Sequence, residues 1–181
     1  MIDEIFENND LLPDELKGDI TPEIDPKKLF DENEYSTIII GNEGMSKKDS
    51  NNADAVTILV SAKSTREEKD EALKFLKENN AQAFILNAIT KTKNPSHKAQ
   101  IIASCWETGL DFSKDYPFFI NLICDKDFLV SFEAFTVIQE MEAEINESTL
   151  KESLDILKKV NDANVSVNDA IQLIEQKLNA N

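Results

Sequence analysis

Residues 64–80, STREEKDEALKFLKENN, carry the clearest helical pattern in the chain. The apolar residues of this stretch fall on one side of a helix with about 3.6 residues per turn, and charged residues fill the other side. These apolar residues are Ala72, Leu73, Phe75 and Leu76. Ser64 and Glu67 have the spacing of a capping box, which marks the beginning of a helix. The stretch therefore predicts an amphipathic helix with one buried face.

The helical pattern begins at Ala53 and continues to the C-terminus. Further helices are predicted over residues 53–62, 81–89, 95–109, 115–124 and 128–141, with two more that begin near 146–148 and at Ser166 with Asp169. Residues 53–62 could also form a buried strand, because a short apolar run fits either element. The candidate caps for a helix there are Ser50, Asn51 and Asn52.

Several of these helices have sequence signals at their ends. Pro95 suits the first turn of one helix, and Gly109 suits its end. Asp115 is the expected cap of the helix over 115–124, with Pro117 in its first turn. The helices over 81–89 and 115–124 are apolar on nearly all sides, so we expect other helices to enclose them.

Three segments, EALKFL, KAQIIA and EAFTVI, place an alanine before large apolar residues on helices that precede another apolar helix. Over residues 53–181 the chain resembles the HEAT and armadillo group of α-solenoids. The resemblance implies an all-α fold, a short right-handed array of stacked helical hairpins, whose faces bind proteins or peptides. A closed multi-helix bundle would satisfy the same apolar pattern and is the alternative.

The first 50 residues differ in kind from the rest of the chain. They hold 14 acidic residues and five lysines, and prolines interrupt short apolar pairs in residues 1–34. This composition predicts an acidic, mostly irregular segment over 1–50, docked or disordered, before a helical-repeat domain over 51–181. Residues 35–40 are predicted to be an apolar strap or a short strand, and residues 41–50 a polar turn.

The charge of the chain limits its partners. The formal net charge is −16, and Arg66 is the single arginine. An acidic surface repels phosphate backbones, and arginine is the residue that most often pairs with phosphate and guanine. We therefore expect no nucleic-acid partner and favour a basic protein or peptide.

No long apolar window and no signal-peptide pattern is present, so we expect no membrane partner and a cytoplasmic location. The oligomeric state is not defined by the sequence.

The glycine-rich stretch at 41–50 does not match a phosphate-binding loop. A P-loop needs four residues between its glycines and a serine or threonine directly after its lysine. Gly41 and Gly44 enclose only two residues, and Asp49 follows Lys48. Lys47 and Lys48 are therefore predicted to be ordinary solvated charges.

Cysteine and histidine are too few for a nucleophilic or zinc site. Cys105 and Cys124 lie in apolar helical patterns and are predicted to be buried. His97, the single histidine, is predicted at the surface. Along one helix it would lie about 12 Å from Cys105, beyond hydrogen-bond reach. No catalytic, metal or cofactor-binding residue is predicted, and no cofactor.

Acidic and aromatic residues also favour structural interpretations. The pairs Glu67/Glu71 and Glu140/Glu144 fit a solvated acidic face. The aromatic residues with helical spacing are predicted to lie in the core. They are Trp106, Phe118, Phe119, Phe128, Phe132 and Phe135.

The first function hypothesis is a non-catalytic protein-interaction module or scaffold whose acidic surface binds a protein or peptide. One alternative is an acidic inhibitor, or nucleic-acid mimic, that occupies a basic cleft. The other is a helical-bundle enzyme that uses a carboxylate pair. The sequence does not define the binding residues.

Overall fold

The computed structural model of the chain describes residues 46–161 and 163–180. These residues form an all-α fold with no strand among them. The α-helices are α1 (Lys47–Val60), α2 (Arg66–Glu78), α3 (Gln82–Lys91), α4 (Pro95–Glu107), α5 (Tyr116–Ile123), α6 (Phe128–Glu140), α7 (Glu147–Leu157) and α8 (Val165–Ala180). A short 3-10 helix, Ser113–Asp115, leads into α5. The predictions for residues 1–45, including the strap or strand at 35–40, lie outside the described residues.

Helix α1 replaces the strand considered for residues 53–62 and begins earlier than predicted. Ser46 precedes the helix, and its Oγ accepts a hydrogen bond of 3.2 Å from the N–H of Asp49. The three predicted caps lie inside the helix: they are Ser50, Asn51 and Asn52. Apolar residues appear only from Ala53 onward, so the apolar pattern underestimates how far the helix extends. The described part of the predicted turn at 41–50 is thus largely helical.

A capping box begins α2, one residue later than predicted. The Oγ1 of Thr65 accepts a bond of 3.2 Å from the N–H of Glu68, and the Glu68 carboxylate accepts one of 2.8 Å from the N–H of Thr65. Ser64 and Glu67 have the same spacing but do not form the box. The amphipathic helix is confirmed, with Ala72 buried on its apolar face.

The predicted end signals of α4 are confirmed. Pro95 is its first residue, and the Asn94 side chain accepts a bond of 3.1 Å from the N–H of His97. Gly109 follows the helix end with a φ of 61°. Glycine adopts this left-handed conformation without the steric cost that other residues incur.

Two other predicted caps are wrong. The side chain of Asp115 makes no capping hydrogen bond, although it precedes α5. In α8 the capping side chain belongs to Asn164, whose Oδ1 accepts a bond of 3.0 Å from the N–H of Val167. Ser166, predicted to open this helix, is buried within its first turn.

The helices pack in consecutive pairs: α1 with α2, α3 with α4, α5 with α6, and α7 with α8. Further contacts join α4 to α1 and α6, α5 to α7, and α6 to α8. One cluster of buried apolar side chains runs through these contacts, with Ile102, Phe119 and Ile138 fully enclosed. Within the described residues, no helix combines the length and the apolar character that crossing a bilayer requires.

Helix α3 is less enclosed than its sequence predicts. Its main contacts are with α1 and α4, which leave Ala83 and Asn87 exposed. The prediction that other helices enclose it on nearly all sides is therefore wrong for α3, because an apolar sequence does not supply neighbours for every side. In α5, which contacts α6 and α7, only Pro117 and Asn121 are exposed, so its apolar side chains are enclosed much as predicted.

Candidate functional site

The thiols and the histidine do not form a reactive group. Cys105 is buried in α4 as predicted, and burial raises the pKa of its thiol far above the usual range, with a smaller effect from the charge of Asp115. Cys124, predicted to be buried, is only half-buried, and burial raises its pKa too. His97 is half-buried rather than exposed. Thiols that stay protonated are poor nucleophiles and poor metal ligands.

The carboxylate pairs noted in the sequence lie at the surface. All four residues, Glu67, Glu71, Glu140 and Glu144, are exposed. No buried aspartate or glutamate occurs in residues 46–161 or 163–180, and those residues contain no cluster able to hold a metal ion. Acid–base chemistry at neutral pH usually depends on carboxyl groups shielded from water. These pairs lack such shielding.

The exposed large apolar side chains of the described residues are concentrated on neighbouring helices. Phe128, Leu129 and Phe132, in the first half of α6, are 56%, 50% and 45% exposed. The others are Trp106 near the end of α4, 39% exposed, and Val165 at the beginning of α8, 65% exposed. Helices α4 and α8 both pack against α6. The prediction that Trp106, Phe128 and Phe132 lie in the core is therefore wrong.

Phe128 and Phe132 stack against each other one helical turn apart. Their ring centroids are 5.9 Å apart, with an angle of 27° between the ring planes. The Asp127 carboxylate caps this end of α6 by accepting bonds of 3.0 and 3.1 Å from the N–H groups of Leu129 and Val130. Because the buried side of α6 is also apolar, this helix presents apolar residues on both sides, which a solvated surface helix does not.

Trp106 connects α4 to α6 through its polar edge. Its Nε1 donates a hydrogen bond of 3.2 Å to Oε2 of Glu133, the residue after Phe132. Next to Trp106, partial burial raises the pKa of the Glu107 carboxyl, although the residue is exposed to solvent, and the charges of Glu133 and Asp70 raise it further. Negative charge is therefore crowded beside the exposed indole.

Val165 is held near α6 by the side chain of its neighbour, Asn164. Asn164 donates a bond of 3.0 Å from Nδ2 to Oγ of Ser131, and that hydroxyl donates one of 2.7 Å to the carbonyl of Ile123. Because Asn164 precedes Val165 and Ser131 lies in α6, the first turn of α8 lies beside α6. We refer to the five exposed apolar residues as the α6 face: Trp106, Phe128, Leu129, Phe132 and Val165.

A groove of about 620 Å³ lies at the C-terminal ends of α4 and α6. Trp106 and Met141 contribute apolar lining, and Asp111, Glu140 and Glu142 contribute carboxylates. Because Trp106 belongs to both features, the groove is continuous with the α6 face.

This arrangement is suited to binding another molecule. Aromatic side chains bury a large area with few rotatable bonds, and protein interfaces are rich in them. Sequence reasoning placed Phe128 and Phe132 in a buried stripe, although FLVSFEAF is apolar on every side of a helix. That excess of apolar residues is the signal that could have indicated an exposed face.

Similarity to known proteins does not identify the α6 face. No protein-family model matches the chain, and no curated protein and no solved structure matches it either.

Proposed function

We propose that this chain is a non-catalytic protein-interaction module that binds a protein or peptide through the α6 face. The observation that carries the proposal is that the exposed large apolar residues of the described chain are gathered on three adjoining helices. Single exposed apolar side chains are common on soluble proteins, but a contiguous patch usually marks an interaction site.

The composition of the α6 face supports this proposal. Tryptophan and phenylalanine contribute strongly to interfaces because they bury much area at low cost in conformational entropy. Trp106 is held in place by Glu133, and Phe128 is stacked on Phe132. Side chains ordered before binding lose less freedom when a partner arrives.

Charge favours a basic partner. Residues 105–145, which include the end of α4 and the whole of α6, contain nine acidic residues and two lysines. Carboxylates around an apolar centre attract lysine and arginine side chains and accelerate association at low salt. The affinity of the partner should therefore fall as salt is added.

The pairing of helices supports the interpretation of the fold as a HEAT-like array of helical hairpins. In such an array each hairpin contacts its neighbours, and the second helices of successive hairpins share one surface. Here α4, α6 and α8 would be those second helices, and the α6 face would lie across them. The two cysteines in the described residues are unpaired, which agrees with the reducing conditions of the cytoplasm.

The test compares the native protein with a variant of the α6 face. Phe128→Ser, Leu129→Gln and Phe132→Ser remove the apolar side chains but retain Trp106, the single tryptophan, as a fluorescent reporter. A matched control carries Ala83→Ser, Asn87→Ser and Thr90→Ser, three exposed positions of α3. All three proteins are first checked for native helicity and then used to capture partners from a cell lysate.

We expect a partner that is retained by the native protein and the control and lost by the α6-face variant. That partner, once purified, should change the emission of Trp106 when it is titrated into the native protein. Equal affinity for the native protein and the α6-face variant would contradict the proposal, as would saturating binding that leaves the Trp106 emission unchanged.

A further inference from the structure

A second groove, of about 540 Å³, runs between α1 and α2, helices that contribute nothing to the α6 face. Its floor is apolar. Ala55 and Ala72 are buried at the bottom, and Ile58 and Phe75 are half-buried at the walls. Because alanine side chains are short, the two helices leave space above them that longer residues would fill.

The residues of α1 and of α2 that line this groove have the same spacing along their helices. In α1 the lining residues are Asn51, Asp54, Ala55 and Ile58, and in α2 they are Glu68, Glu71, Ala72 and Phe75. Each set occupies positions i, i+3, i+4 and i+7, which lie on one side of a helix. Both helices therefore present a polar residue, an acidic residue, an alanine and a large apolar residue, in that order.

The rim of the groove is negative and lacks a described counterion. Asp54 and Glu71 are exposed, and neither forms an ion pair with a described residue. The cations of α2 that form ion pairs do so elsewhere, Arg66 with Asp70 and Lys74 with Glu78. No lysine or arginine is among the described lining residues.

We infer that the α1–α2 groove binds an amphipathic helix of a partner protein, with apolar side chains on the floor and lysine or arginine side chains at the rim. Helices that bind in grooves use apolar anchors at i, i+3 or i+4, and i+7. An apolar floor bordered by carboxylates complements a helix whose apolar anchors are flanked by cations. The inference does not rest on the proposed function, because the two surfaces share no residue.

The test uses the full-length chain and two labelled synthetic peptides. One peptide is an amphipathic helix of leucine, alanine and lysine, and the other replaces every lysine with glutamate. Binding is followed by fluorescence anisotropy at low and at physiological salt. The groove variant carries Asp54→Asn and Glu71→Gln. The control carries Glu152→Gln and Asp155→Asn, two exposed positions of α7 outside both surfaces, so that both variants lose the same charge.

We expect the lysine peptide to bind the native protein, the control and the α6-face variant with similar affinity, and the groove variant about fivefold or more weakly, with a smaller difference at physiological salt. The glutamate peptide should not bind. Ile58→Ala, which shortens an apolar wall without changing charge, should also weaken binding.

Two results would overturn the inference. Equal weakening of peptide binding in the groove variant and the control would mean that binding depends only on the net charge of the protein. Loss of binding in the α6-face variant alone would mean that the peptide occupies the other surface, a result that leaves the proposed function intact.

Discussion

Nε1 of Trp106 donates a hydrogen bond of 3.2 Å to Oε2 of Glu133 and thereby connects α4 to α6. The bond positions an indole that is 39% exposed. An exposed tryptophan held by a polar contact at its edge leaves its ring available to a partner. The relationship therefore explains how the α6 face can be both exposed and ordered.

Glu133→Ala should release the indole. We expect the Trp106 emission to move to longer wavelength, because the ring gains freedom and contact with water. The free energy of unfolding should fall by about 0.5–1.5 kcal/mol, the usual worth of one hydrogen bond. Emission spectra and urea unfolding measure both effects. Gln139→Ala, an exposed position on the same helix that does not line the groove containing Trp106, is the control and should leave the emission unchanged. An unaltered spectrum in Glu133→Ala would show that the bond does not hold the ring.

Asn164→Ala should destabilise the protein more than the loss of an ordinary helix cap. Asn164 caps α8 and also donates to the buried hydroxyl of Ser131. Loss of the cap costs about 1 kcal/mol and loss of the second bond about another 1 kcal/mol. The control is Asn146→Ala, which removes only the cap that accepts from the N–H of Thr149 at 2.9 Å. Urea unfolding measures both variants, and equal losses would mean that the bond to Ser131 contributes nothing.

The sequence predicted element type better than element ends. The all-α fold, the Pro95 and Gly109 signals and the amphipathic α2 follow from local periodicity and backbone sterics. Helix caps are harder to predict from the sequence. Ser64 and Thr65 are each followed three residues later by a glutamate, and only the three-dimensional path of the chain makes Thr65 the cap. Likewise, the apolar run of α6 cannot show which side the neighbouring helices leave open, since that depends on contacts distant in sequence.

Tyr116→Phe should stabilise the protein. Tyr116 is fully buried, and its hydroxyl has no hydrogen-bond partner among the described residues. A buried hydroxyl without a partner costs about 1–3 kcal/mol, whereas the phenylalanine ring retains the packing. We expect a gain in the free energy of unfolding of about 1 kcal/mol at pH 7. A loss of stability would instead indicate that the hydroxyl is satisfied in solution.

Tyr116 should also make the stability of the protein depend on pH in the alkaline range. Burial raises the pKa of Tyr116 from 10.0 to about 12. The folded chain therefore keeps this proton over a pH range in which the unfolded chain releases it, so the stability of the native protein should decline as the pH rises from 10 to 12. The phenylalanine variant lacks this group. Its advantage over the native protein in urea unfolding should therefore widen over that range, and a constant difference would contradict the assignment.

Glu107→Gln should stabilise the protein at neutral pH. Partial burial and the charges of Glu133 and Asp70 raise the pKa of the Glu107 carboxyl, and Lys69 opposes this only in part. A carboxyl whose pKa is higher in the folded state binds its proton more tightly there, so its ionisation at neutral pH opposes folding. Below its ordinary pKa of 4.5 it is protonated in both states, and the penalty disappears.

Thermal unfolding at several pH values tests this last prediction. Because solvent screens exposed charges, we expect Glu107→Gln to increase the free energy of unfolding by only about 0.5 kcal/mol at pH 7. The gain should shrink towards pH 4, where both states become protonated, and it should shrink with added salt because part of it is repulsion between carboxylates. Asp155→Asn removes the same charge from an exposed position of α7 outside the groove that Trp106 lines, and it is the control. If both variants gained equally, the effect would come from net charge rather than from the carboxylates beside Trp106.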